Sequence, residues 1–130
     1  MSRYISNPFL INSHKFDLRI YIIVTSFDPL RVYMFKDGLA RFASEKYNHA
    51  DPGNKYSHLT NYSINKKNKK FIQNESEDKD DYGYKWSLSA LCKNLEIAGI
   101  DLDLLWSKIY DLVIKTILSA EGKMLEQVKR

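Results

Sequence analysis

Between residues 4 and 43 the apolar positions recur mostly at two-residue steps, the spacing of side chains that alternate across a β-strand. The clearest case is 16–26, where Phe16, Leu18, Ile20 and Ile22 alternate with Asp17, Arg19 and Tyr21 before Ile23 and Val24 extend the apolar run. A shorter stretch, 4–11, is interrupted by Pro8, as suits a sheet edge or a strand entry. Asp28-Pro29 marks a turn, with Pro29 pre-set for its second position. Residues 31–35 read as the next strand, Lys36-Asp37-Gly38 as a tight turn and 39–43 as a third strand, so an antiparallel meander is expected.

The pattern then changes. Residues 44–57 look irregular, with Asp51-Pro52-Gly53 as a breaker, and 58–64 is a short polar-apolar segment of open state. A basic run at 65–70 and an acidic run at 75–81 read as solvated loops. From Ser87 onward the period lengthens to three and four residues. Ser87 is placed to cap a helix that ends near Ala98, with Gly99 as its stop. Asp101 or Asp103 is placed to cap the next, whose Leu102, Leu105, Trp106, Ile109, Val113 and Ile117 form a core-facing stripe. Strands followed by helices point to an α+β fold.

Composition narrows the setting more than the chemistry. The 130 residues are enough for one compact domain, and nine tyrosines with two tryptophans suit half-buried sheet positions. A formal charge of +4 favours an acidic partner without naming it. Cys92 is the single cysteine, so no intrachain disulfide forms and a reducing compartment is the simpler reading. No stretch reaches the ~18–20 apolar residues needed to span a bilayer. The N-terminus also lacks the pattern of a secretory signal. A soluble, intracellular protein is expected.

Candidate chemistry is concentrated on one strand. Alternation puts Lys15, Asp17 and Arg19 on one face and Phe16 and Leu18 on the other. Charges on a central strand are costly unless that face is wet or paired. Either it is an exposed sheet face with ordinary ion pairs, or it lines a cleft in which cations meet phosphate and the carboxylate orients a partner. Arg41, between Ala40 and Phe42, is a further charge in a strand and can approach the same face if the meander holds. Its guanidinium suits two-pronged binding of a carboxylate or phosphate. The segment His58-Leu59-Thr60-Asn61-Tyr62-Ser63 is dense in hydrogen-bonding side chains. His14, His49, His58 and Cys92 lack metal-ligand spacing, and there is no glycine-rich phosphate loop.

Taken in order, Lys15-Phe16-Asp17-Leu18-Arg19, Asp28-Pro29-Leu30-Arg31, Gly38-Leu39-Ala40-Arg41-Phe42 and His58-Leu59-Thr60-Asn61-Tyr62-Ser63 resemble the tubulin tyrosine ligase-like family. The similarity continues through Asp81-Tyr82-Gly83 and Lys85-Trp86-Ser87 to Ile114-Lys115-Thr116-Ile117. The resemblance implies the central part of an ATP-grasp ligase domain. It also implies ATP-dependent ligation of glutamate to glutamate side chains of tubulin tails through an acyl phosphate. ATP and Mg²⁺ would be the cofactors, with free glutamate and acidic tubulin C-terminal tails as partners.

Carried over residue by residue, the resemblance assigns Lys15, Phe16, Asp17, Thr60 and Asn61 to the nucleotide. Arg41, Tyr62, Ser63 and Lys85 go to the incoming amino acid, and Arg19 to the catalytic centre. Asn61-Tyr62-Ser63 resembles the glutamylase version of the motif. Lys66, Lys67, Lys69 and Lys70 could meet an acidic tail, with a solvated loop as the plainer alternative. The family's first phosphate-binding portion is expected before Tyr4. Its metal-binding carboxylates, an Asp followed by Glu-x-Asn, are expected beyond Arg130, and no Glu-x-Asn occurs within the chain. The 130 residues are therefore read as a partial domain, inactive alone and exposing apolar faces at 16–22 and 105–117. The implied location is the cytoplasmic microtubule cytoskeleton, with the cilium or flagellar basal body as a narrower option. The competing reading is a non-catalytic basic α+β module for acidic protein tails or single-stranded nucleic acid. The run 65–70 weakens the nucleic-acid version, since it holds only Lys and Asn and no stacking platform.

Overall fold

The computed structural model describes residues 1–72 and 83–128, so the acidic run 75–81 and residues Asp81 and Tyr82 lie outside the described residues. Strands β1 (Leu10–Ile11), β2 (His14–Phe27), β3 (Leu30–Phe42) and β4 (Lys85–Ser87) line up in chain order in one antiparallel sheet. Two four-residue helices, α1 (Lys55–His58) and α2 (Tyr62–Asn65), fall between β3 and β4. Helices α3 (Leu88–Ile97) and α4 (Leu102–Val128) follow. The fold is α+β, with two short helices before the last strand and the two longer helices after it.

By its contacts the chain divides into two compact units, one of 1–19 with 37–91 and one of 20–36 with 92–130. In the first, Asn12 and Ser13 both have positive φ, at 50° and 66°, which is the backbone a two-residue hairpin turn requires. That turn pairs Leu10 with Lys15 and makes β1 a short edge. The core of this unit is built by the even positions of β3 and β4. Ala40 and Phe42 face the same way as Trp86, and the Phe42 and Trp86 ring centroids are 4.5 Å apart. Leu88 and Leu91 of α3 are also buried there, and Leu91 is 1% exposed. Burying such a side chain contributes about 1.5–3 kcal/mol. The Ser87 hydroxyl accepts from Ala90 N at 3.1 Å, so the expected cap is in place.

Lys36-Asp37-Gly38 is not a turn. β3 runs unbroken through it, and the expected second and third strands are one. A close approach explains the glycine instead. A Cβ at Gly38 would stand 2.4 Å from the carbonyl oxygen of Arg19 and 2.6 Å from Leu88 Cδ1. Asp37 has its own employment, its carboxylate accepting from Ser89 Oγ at 3.1 Å and from Gly38 N at 2.8 Å. Gly38→Ala is expected to lower stability by about 1–3 kcal/mol, the usual range for overpacking a tight contact. Urea titration checks this, and an unchanged midpoint would show that the strand tolerates a side chain there.

In the second unit the Asp28-Pro29 bond is cis. Strand bounds at Phe27 and Leu30 make Pro29 the third residue of that turn, not the second. Gly99, with φ of 82°, ends α3, and Ile100 N donates to Leu95 O at 3.0 Å. Asp101 caps α4, its Oδ1 accepting from Leu104 N at 3.1 Å. The stripe Leu102, Leu105, Trp106, Ile109, Val113 and Ile117 is half-buried throughout, and α4 holds no fully buried residue. The apolar faces expected to be exposed, Phe16, Leu18, Ile20 and Ile22 on β2 and the stripe from Leu105 to Ile117 on α4, are half-buried. The large exposed side chains of this unit include Tyr21, Ile23, Tyr33 and Phe35 on one set of alternating hairpin positions, and Leu104, Tyr110, Leu112, Ile114 and Leu118 on α4. Among 16–22 only Tyr21 is in that group, because the remaining apolar positions face the less exposed side of the strand.

Candidate functional site

The charged face of β2 and the segment after α1 meet in the first unit. Asp17 and Arg19, two residues apart on one face of the strand, form an ion pair of 2.9 Å between Asp17 Oδ2 and Arg19 Nη2. The same Oδ2 accepts from the Thr60 hydroxyl at 2.9 Å. Asp17 Oδ1 and Arg19 Nε are buried and have no hydrogen-bond partner. Buried polar atoms of this kind are uncommon in folded proteins.

Arg41 joins the same face. Phe16 packs on Phe42 with ring centroids 5.4 Å apart, which sets the even positions of β2 and β3 on one side and Asp17, Arg19 and Arg41 on the other. The β3–β4 register pairs Arg41 with Lys85. Two cations thus stand across from each other at the end of the sheet where the Asp17–Arg19 pair lies. Phe16 itself does not join this group. Its ring lies between Phe9 and Phe42, with centroids at 6.4 and 5.4 Å, on the apolar side.

Lys15 places its ammonium over the Tyr4 ring, 4.8 Å from the centroid. The Tyr4 hydroxyl and His58 Nδ1 are 2.7 Å apart, and His58 Nε2 lies 2.9 Å from Asp51 O. Thr60 is 7% exposed, whereas Asn61, Tyr62 and Ser63 are exposed. Asn61 occupies the N-cap of α2 without using its side chain as a cap. Its amide is thereby left to face outward. The structure brings together Asp17, Arg19, Thr60 and Arg41, with Lys85 opposite Arg41 and Asn61 adjacent in sequence. Phe16 is set apart on the other side of the sheet.

Two further residues organise the site and carried no strong signal in the sequence. Tyr84 is 6% exposed and its hydroxyl donates to Thr60 O. Burial pushes its phenol up, opposed by Arg41 and Arg19 and reinforced by Asp17 and Tyr62, so it stays a neutral donor at ordinary pH. Alternation in Tyr84-Lys85-Trp86 could have marked it as inward-facing. Asn65 is fully buried, against the expectation of a solvated run at 65–70. That run is solvated only at its lysines, which are exposed, while Asn68 Nδ2 donates to Ser44 Oγ and to Glu45 Oε1, each at 3.0 Å. Hydrogen bonds from Asn54 and Asn68 hold the Glu45 carboxyl below its usual range.

Among the described residues no group of three or more His, Cys, Asp and Glu side chains could hold a metal ion. No described helix is long and apolar enough to cross a membrane.

Comparison with known proteins gives this arrangement a family. The chain is 51% identical to a human protein named tubulin monoglutamylase TTLL4, over 99% of this chain and 11% of that protein. It is 48% identical to the Caenorhabditis elegans tubulin polyglutamylase ttll-5, over 95% of this chain and 17% of that protein. It is 47% identical to the mouse tubulin polyglutamylase TTLL5, over 93% of this chain and 9% of that protein. The chain therefore spans between roughly a tenth and a sixth of these curated relatives. The family model for the tubulin-tyrosine ligase family matches residues 1–130, from the first residue to the last, and to that family this chain belongs.

Proposed function

We propose that these residues supply the central part of the active site of an ATP-dependent protein-glutamate ligase acting on tubulin. The observation that carries the reading is the shared face on which the Asp17–Arg19 pair, the Thr60 hydroxyl and Arg41 converge. The names of the relatives, mono- and polyglutamylases, supply the substrate class.

In this reading ATP transfers its terminal phosphoryl group to the side-chain carboxylate of an acceptor glutamate, and ADP leaves. The amine of a free glutamate then attacks the acyl phosphate, phosphate departs and an isopeptide bond forms. Both steps gather negative charge, which cations fixed in advance stabilise best. The Asp17 and Arg19 side chains are each 37% exposed, which leaves this face open to a polar ligand. We assign Lys15, Asp17, Thr60 and Asn61 to the nucleotide, with Phe16 supporting them from behind the sheet. Arg41, Tyr62, Ser63 and Lys85 are assigned to the incoming glutamate and Arg19 to the reacting groups. We assign the magnesium ligands to the further chain that the relatives possess. The acceptor is an acidic tubulin tail, and the exposed Lys66, Lys67, Lys69 and Lys70 favour its approach. The protein would then work on the microtubule cytoskeleton, in the cytoplasm or at a cilium.

The test is ATP-dependent incorporation of labelled amino acids into tubulin by these residues carried within a whole family domain, with the 130-residue chain alone beside it. Glutamate is expected to outcompete glycine and tyrosine, because a cation near a second carboxylate leaves an unpaired charge when that carboxylate is missing. The short chain is expected to show no turnover. Preferential glycine or tyrosine incorporation would reject the substrate choice, and robust turnover by the short chain would reject the partial-site reading.

A further inference from the structure

We propose that Asn65 and Tyr84 are positioning residues that fix the Thr60–Asn61 backbone against the sheet; the proposal rests on the nucleotide reading of that segment. Three successive carbonyls are each held by a buried side chain. Asn65 Nδ2 donates to Leu59 O at 2.9 Å and to Asn61 O at 2.9 Å, and the Tyr84 hydroxyl donates to the carbonyl between them, Thr60 O. The other end of the Asn65 amide is equally occupied, with Oδ1 accepting from Ser44 N at 2.9 Å and from Ser44 Oγ at 2.6 Å.

An asparagine has two donor hydrogens and an acceptor oxygen with two lone pairs, and here all four are used. Aspartate keeps the acceptor but has no donors for the carbonyls. Glutamine is one methylene too long for a fully buried site, and leucine removes all four of these side-chain bonds. The residue type therefore follows from the geometry.

Both fastenings reach the strand that carries Arg41 or the residues just past its end. Ser44, bonded to Asn65, lies three residues beyond Arg41, and Phe42 N donates to Tyr84 O at 2.8 Å. A third link, from the Thr60 hydroxyl to Asp17, ties the segment to β2. Thr60 and Asn61 are thus located from three directions while the Asn61 side chain stays exposed. A segment ordered beforehand does not charge its ordering entropy to the ligand. Loosening it should weaken binding without removing any group that touches the nucleotide.

The experiment is calorimetric titration of ATP into a whole family domain carrying these residues and into its Tyr84→Phe, Asn65→Ser, Asn61→Ala, Asp17→Ala and Asn61→Ala/Tyr84→Phe variants. Tyr84→Phe removes one oxygen, so the fold is expected to survive even if Asn65→Ser does not fold. ATP affinity should fall about tenfold in Tyr84→Phe, the effect of a well-placed hydrogen bond. In the Asn61→Ala background the same substitution should cost clearly less than it does alone, because only Thr60 is then left to position. Fully additive losses would show a general structural role and overturn the proposal. So would parental affinity in Tyr84→Phe when Asn61→Ala and Asp17→Ala both weaken binding. Absence of ATP binding in the parent, or no effect of either Asn61→Ala or Asp17→Ala, would overturn the nucleotide reading and the proposal with it.

Discussion

Arg41→Ala, made within a whole family domain, is expected to lower kcat/KM for glutamate about ten- to hundredfold while ATP affinity changes by less than about twofold. The magnitude is that of one charge-assisted hydrogen bond to a carboxylate, about 1.5–3 kcal/mol. The selectivity follows from position. Arg41 sits on the polar side of β3, and its neighbours Ala40 and Phe42, at 0% and 5% exposure, form the core on the opposite side. Removing the guanidinium leaves that packing intact. It also leaves the Asp17–Arg19 pair and its bond to Thr60 untouched. Lys85, opposite in the register, retains a charge but cannot offer a planar two-pronged grip. Steady-state kinetics in glutamate beside ATP titration would decide it. Equal losses for the two ligands would remove the assigned role.

Asp17→Ala should show the reverse bias, with ATP affinity falling tenfold or more, on the order of the loss of a hydrogen-bonded charged group. This carboxylate serves two partners through one oxygen, the Arg19 guanidinium and the Thr60 hydroxyl. Without it Thr60 loses its tie to β2, and Arg19 is left as a cation on a face shared with Arg41. Lys15→Ala should move in the same direction by less, since its ammonium already rests over the Tyr4 ring. Asp17→Asn keeps an acceptor for Thr60 and should recover part of the loss. Intact ATP affinity in Asp17→Ala and Lys15→Ala, with the fold preserved by near-ultraviolet circular dichroism, would show that this face does not meet the nucleotide.

The elements most legible in the sequence were those decided locally. Alternation through Phe16, Leu18, Ile20 and Ile22 sufficed for β2, and the three- and four-residue steps from Leu102 to Ile117 sufficed for α4. Ser87, Gly99 and Asp101 marked helix ends because a cap is satisfied by its own neighbours. The reading of Lys36-Asp37-Gly38 as a turn failed for the opposite reason. A glycine that spares a steric clash with Arg19 O and Leu88 looks, in one dimension, the same as a glycine that bends the chain.

The site divides along the same line. The period of β2 by itself determined that Lys15, Asp17 and Arg19 share a face, since side-chain direction on a strand needs no knowledge of the rest of the protein. It also put Phe16 on the other face, where the rings of Phe9 and Phe42 receive it. Only the tertiary structure decided that Arg41 faces Lys85, that Thr60 bonds Asp17 across 43 positions, and that Asn65 is buried within a lysine run. Those outcomes depend on register and on long-range hydrogen bonds. A polar side chain has no periodic signature by which its partner can be read, because its burial is stable only once donors and acceptors from distant segments have come together around it.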